Sequence, residues 1–132
     1  MITNTNMSVY NKYTDKDKNV VFKKHLIDKV FWDDNKEINL NLGYESNNKV
    51  TVFIPKNQND FKGYIEPKKY EGLKNTWTLA NGDFIVKGNT EENEILSLKE
   101  LEKKYDNVFI ISSVDNKDFG SKNMHHFEIK GK

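Results

Sequence analysis

From Ser8 to Lys130 the chain is a series of short β-forming runs cut by polar turn clusters, and this rhythm limits the fold more than any other feature. Ser8 to Tyr13 alternates and reads as a first strand. Val20 to Trp32 is long and rich in β-branched residues, so one bent strand or two short ones are expected. Ile38, Leu40 and Leu42 alternate with asparagines and share one face. Lys49 to Ile54 runs up to Pro55, which ends a ladder because proline has no N–H to donate. Asn107 to Val114 reads as a buried strand, and His125 to Lys130 as the last. "TDKDKN", "DDNKE", "GYESNN" and "DNKDFGSKN" supply the turns.

The stretch "WTLANGDFIVKGN" reads as a hairpin. A strand at Trp77–Leu79 is expected to turn over Ala80–Asp83 and return along Phe84–Lys87. Asn-Gly suits such a turn because both residues tolerate positive φ. On this reading Trp77, Leu79, Phe84 and Val86 point inward, Trp32 joins them in the core, and the Asp83 side chain caps its own turn. Gly82 and Gly88 supply turn conformations. One helix signal stands out, over residues 97–105: Leu98, Leu101 and Tyr105 share a face, Ser97 can cap, and Glu100 follows three residues on. Six to eight strands with one short helix predict a mainly β fold, a small antiparallel barrel or sandwich occupying residues 1–132 as one domain.

Between the strands before and after it, the segment 56–75, "KNQNDFKGYIEPKKYEGLKN", is polar, contains Gly63, Pro67 and Gly72, and has no sustained period. A loop this long in a small domain is often functional. Lys56, Lys62, Lys68, Lys69 and Lys74 interleave with Phe61, Tyr64 and Tyr70, the composition of a single-strand nucleic-acid surface, diluted by Asp60, Glu66 and Glu71.

Composition removes several classes. The formal net charge is +1, all 21 basic residues are lysine, and there is no cysteine. Without arginine the bidentate fork that reads guanine and grips phosphate is missing, so a sequence-reading DNA binder is not expected. Thiolate nucleophiles, disulfides and Cys-type zinc sites are excluded. The N-terminus lacks a basic start and an apolar core, and no apolar run reaches membrane-spanning length, so a soluble product made in the cytoplasm is expected.

The residue types of a hydrolase triad occur at Ser112 or Ser113, His125 or His126, and Asp115 or Asp118. No nucleophile elbow accompanies them, and the serines fall inside a β-run. His125 and His126 are strand neighbours that point to opposite faces and cannot readily share an ion. Asp15-Lys16-Asp17 begins like an EF-hand loop without its glycine and final glutamate. Gly82 and Gly88 form no phosphate loop. No catalytic, cofactor or metal site is expected.

The blocks "VFWDD", "VTVFIPK", "WTLANGDFIVKGN", "ISSVDNKDFGS" and "HHFEIKGK", in this order, resemble small structural proteins encoded between the capsid and tail genes of prophages in low-GC Gram-positive bacteria. Such proteins resemble the head–tail stopper, or head-closure, family. The resemblance implies a small β-barrel that assembles into a ring below the portal and adaptor, closes the DNA channel and docks the tail. Its location would be the virion neck, reached after synthesis and assembly in the bacterial host cytoplasm. By position, the loop 56–75 would be the channel or partner loop, with backbone-only contact to packaged DNA. No membrane partner, cofactor or catalytic residue comes with it. A tail-completion or tail-terminator protein, and a small-barrel single-stranded nucleic-acid-binding module, are the alternative readings.

Overall fold

The computed structural model describes residues 2–34 and 49–132. The expected turn after Asp34, the strand at Ile38–Leu42 and the "GYESNN" turn lie outside the described residues. Seven strands are described: β1 (Thr5–Thr14), β2 (Val20–Asp33), β3 (Val50–Pro55), β4 (Phe84–Lys87), β5 (Glu94–Ile95), β6 (Val108–Lys117) and β7 (His126–Gly131). One helix, α1 (Leu98–Glu102), lies between β5 and β6, and single 3₁₀ turns occur at Lys56–Gln58, Pro67–Lys69 and Lys122–Met124.

All pairings between these strands are antiparallel, and six strands close on themselves. The order β1-β4-β6-β7-β3-β2 returns to β1, with β5 added on the outer edge of β2. The fold is therefore mainly β, as the alternation predicts. The expected bent strand is β2. Its first part pairs with β1 and its last residues, Phe31–Asp33, with β3. A register shift opposite Thr5–Met7 inserts an extra residue where it changes partner, the local kink a bulge produces.

The polar/apolar alternation serves two cores. Met7 and Val9 of β1, with Ile27, Ile54, Ile85 and Ile129, fill the interior of the ring. Tyr10, Phe22, Phe84 and Val86 point outward and are covered by Ile95 and Leu101 of the segment carrying β5 and α1. This corrects the expectation for Phe84 and Val86. Both are buried, but beneath the outer layer, while Ile85 between them faces the ring core with Trp77 and Leu79. Trp32 is buried in the ring core as expected.

The Trp77–Leu79 strand and its hairpin are not formed. Only Trp77 makes an isolated bridge, to Tyr64, and β4 pairs with β1 and β6 instead. The segment is held by other groups. The Asn11 side chain donates to the Thr78 carbonyl at 2.7 Å and accepts from the Thr78 N–H at 3.1 Å. Trp77 N–H donates to the Gly63 carbonyl, and Ile65 N–H to that of Trp77. With its backbone satisfied this way, the segment needs no ladder, and burial of Trp77 and Leu79 fixes it in the ring core.

Other boundaries shift by local causes. The helix is shorter than 97–105: regular geometry stops at Glu102, although Tyr105 N–H still bonds the Leu101 carbonyl. Glu100 accepts from the backbone N–H groups of Leu96 and Ser97, the acidic half of the expected cap. The expected turn at 115–123 begins later, because Asp115–Lys117 continue β6 opposite Glu128–His126. The two-residue β5 is too short to leave a periodic signal.

β1 and β6 are both antiparallel to β4, so they run the same way. The β1–β2 and β6–β7 turns therefore lie at the same end of the ring. They sit on opposite sides of it, separated by β4 one way and β3 the other. Pro55 pairs with His126, so the long loop starts from that same end.

Candidate functional site

The candidate loop residues separate into five environments. Phe61 and Tyr64 are half-buried against the ring core. Phe61 meets Phe127 at 5.7 Å between ring centres, and Tyr64 meets Trp77 edge-on at 5.1 Å. Sequence composition presented them as exposed stacking rings, but packing against Trp77 leaves them an anchoring role instead. Lys56 is also committed. Its ammonium pairs with Asp118, donates to Asn116 Oδ1 at 2.6 Å and lies 4.6 Å from the centre of the Phe127 ring.

Lys62 is exposed on a cleft of about 210 Å³ that His25, Asp28, Asn59, Asp60 and Trp77 also line. Burial holds the His25 imidazole below its ordinary pKa, against the opposing pull of Asp28 and Asp60. Asn59 ties the loop to β2 by accepting from the Lys29 N–H and donating to its carbonyl. Among the described residues no three His, Asp or Glu converge as metal ligands.

Lys68 and Lys69 are exposed on their 3₁₀ turn, and Tyr70 and Lys74 fall on a pair of adjoining clefts. The larger cleft, about 570 Å³, is lined by Lys12, Tyr13, Lys16, Tyr70 and Leu73. The second, about 370 Å³, is lined by Lys23, Lys24, Leu73 and Lys74. Leu73, 60% exposed, is the ridge between them. Gly72 lets the ridge sit close to β1. Its φ is +71°, and a Cβ there would lie 2.5 Å from the Tyr13 ring. The Lys23 ammonium donates to the Gly72 carbonyl at 2.8 Å and lies 4.9 Å from the Tyr13 ring centre, so Tyr13 touches both glycine and lysine.

Sequence reading found Tyr70 and Lys74 but missed Lys12, Lys16, Lys23 and Lys24. They belong to β1, its turn and β2, and only the folding of the loop over the β1–β2 hairpin brings them together. The signal available was the lysines within and on both sides of "TDKDKN".

Asp83 bonds the Ala80 backbone within its own turn, as expected, and does more. Its carboxylate also reaches from its turn to β1, accepting from Asn11 Nδ2 at 2.8 Å and from the Lys12 N–H at 3.0 Å. Burial pushes its pKa up to about 6, and these bonds, with one to the Ala80 backbone, only partly offset that. Gly82, at φ +92° with open space around it, and Gly88, at φ +93°, serve the turn conformations expected of them.

The hydrolase residue types do not assemble. Ser112 Oγ donates to the Lys130 carbonyl, and Ser113 pairs with Lys130. His126 pairs with Lys117, four residues and about 13 Å further along β6. His125 faces Asp118 at 3.7 Å, but that carboxylate belongs to the Lys56 pair.

A closed antiparallel strand ring with an outer helical layer and a lysine-lined double cleft at one end is thus the class these residues define. Residues 2–132 match the family described as a family of unknown function (DUF6751), and the chain belongs to it. No curated protein and no solved structure matches the chain.

Proposed function

We propose that this chain is a non-enzymatic structural subunit of a tailed-phage neck, a head-closure ring component that closes the portal channel and offers the tail its docking surface. One observation carries the reading beyond the ordered motifs. Of six exposed large apolar side chains among the described residues, four (Val20, Leu73, Phe119 and Met124) lie at the end of the ring where the hairpins turn. Leu73 and Val20 are on the β1–β2 side, and Phe119 and Met124 across the ring on the β6–β7 turn. Apolar side chains gathered at one end of a small fold are the pattern of a surface covered in an assembly. The β6–β7 turn is tied to the start of the long loop by the Lys56–Asp118 pair and internally by Met124 N–H bonding the Ser121 carbonyl, so it is held in place for a neighbour.

Mass spectrometry of particles purified from the encoding strain is the test. Peptides from this chain at a stoichiometry near that of the portal support the neck assignment. Peptides that follow the tail in head–tail separation move it to tail completion. Intact infectious particles without the chain overturn the proposal.

A further inference from the structure

We infer that the double cleft around Leu73 binds the phosphate backbone of a nucleic-acid strand. The inference deepens the neck reading, and rests on it only for the origin of the strand.

Charge is segregated on this molecule. The two clefts are lined by Lys12, Lys16, Lys23, Lys24 and Lys74 against Glu71 and Glu94, a net charge of +3. The whole chain carries only +1, so the rest of it is net −2. The described lysines in ion pairs (Lys56, Lys104 and Lys117) all lie elsewhere. Two of the cleft ammoniums have neutral partners: Lys23 donates to the Gly72 carbonyl, and Lys24 to Asn89 Oδ1 and the Thr90 carbonyl. Such charges concentrate anions from solution.

The chemistry of the site selects phosphate over a base edge. Lysine is a point charge that suits a phosphate oxygen without reading sequence. The Tyr13 ring is already in contact with Gly72 and the Lys23 ammonium, which leaves it less available for stacking on a base. The ridge of Leu73 keeps the two lysine groups apart in two grooves, an arrangement for an extended polyanion rather than a single small anion.

Fluorescence anisotropy with labelled oligothymidylate, the matching duplex and polyglutamate tests this. Binding to at least one DNA probe is expected, with log affinity falling against log salt at about 0.7 to 0.9 per phosphate contacted. The variant Lys12→Gln/Lys16→Gln/Lys74→Gln should reduce that slope by roughly two to three and weaken binding at low salt about tenfold or more. The charge-matched control Lys99→Gln/Lys103→Gln/Lys130→Gln, at exposed positions on α1, just beyond it and on β7, should bind within about twofold of wild type. Protection of Lys12, Lys16 and Lys74 from amine labelling in the wild-type complex gives the same answer without mutation. The single-strand and duplex arms identify which nucleic acid is held. Equal losses in both variants, polyglutamate binding as tight as DNA, or no salt-dependent DNA binding would overturn the inference. The last result would leave the neck reading standing, since particle composition is measured separately.

Discussion

The imidazole of His25 lies flat on the indole of Trp77, ring centres 4.2 Å apart and planes 8° from parallel. Trp77 is 1% exposed and its Nε1 donates to the Lys62 carbonyl, so one side chain joins β2, the long loop and the ring core. Trp77→Ala should cost roughly 3–5 kcal/mol by chemical denaturation, the range for deleting a buried aromatic. Melting like wild type would remove Trp77 from the core. Burial of the same ring predicts that His25 titrates below the ordinary histidine value, because desolvation disfavours the charged form more than Asp28 and Asp60 favour it. Side-chain NMR through a pH series checks this.

Asp83 predicts a second pH dependence of opposite sign. Its carboxyl is 3% exposed, and its pKa rises from 3.8 unfolded to about 6 folded. The native state therefore keeps a proton that the unfolded chain releases. This contribution is fully present below about pH 4, declines as pH rises to about 6 and is level beyond, a loss on the order of 3 kcal/mol. Asp83→Asn should remove that slope. It should also start less stable at low pH, since an amide N–H would face the Asn11 donor. Urea unfolding from pH 4 to 7 reads both effects, and an unchanged slope in the variant would contradict the assignment.

Two glycines separate backbone strain from steric clash. Gly82 has φ +92° and nothing within 4 Å of where a Cβ would stand, so Gly82→Ala should cost only about 1–2 kcal/mol of left-handed strain. Gly72 has φ +71° and the Tyr13 ring 2.5 Å away, so Gly72→Ala carries the same strain and must also displace Tyr13 or the loop. The expected result is a greater loss of stability at Gly72, with altered Tyr13 ring resonances. Equal losses would mean that the loop does not rest on β1.

Tyr10 joins the ring to its outer layer. Its hydroxyl is 2.6 Å from both Thr90 Oγ1 and the Glu92 carbonyl, and burial pushes its pKa up to about 12. Tyr10→Phe should cost about 1–2 kcal/mol, because it leaves the Glu92 carbonyl without its donor and the Thr90 hydroxyl without its partner. Hydrogen exchange should rise first across β5 and α1, the layer the hydroxyl holds.

The strands were legible where apolar residues alternate against one core or run together between two, as in β1, β2 and β6. The Ser97–Glu100 cap was legible because its residues are local. Trp77–Leu79 misled because its composition is β-like while its backbone partners, Asn11 and Gly63, lie far away in sequence. The site was half legible for the same reason. Tyr70 and Lys74 stood out in a long loop, but Lys12, Lys16, Lys23 and Lys24 become neighbours of Leu73 only through the fold. Phe61 and Tyr64 show the converse error: aromatics within a polar loop read as exposed until the core they rest on is known.

The most direct test of the neck assignment is a cryo-EM map of the intact neck from particles of the encoding strain. The expected map shows a symmetric ring below the portal into which this strand ring fits, with Phe119, Met124 and Leu73 covered by neighbouring subunits. A well-resolved neck in which every ring is accounted for by other chains would contradict it.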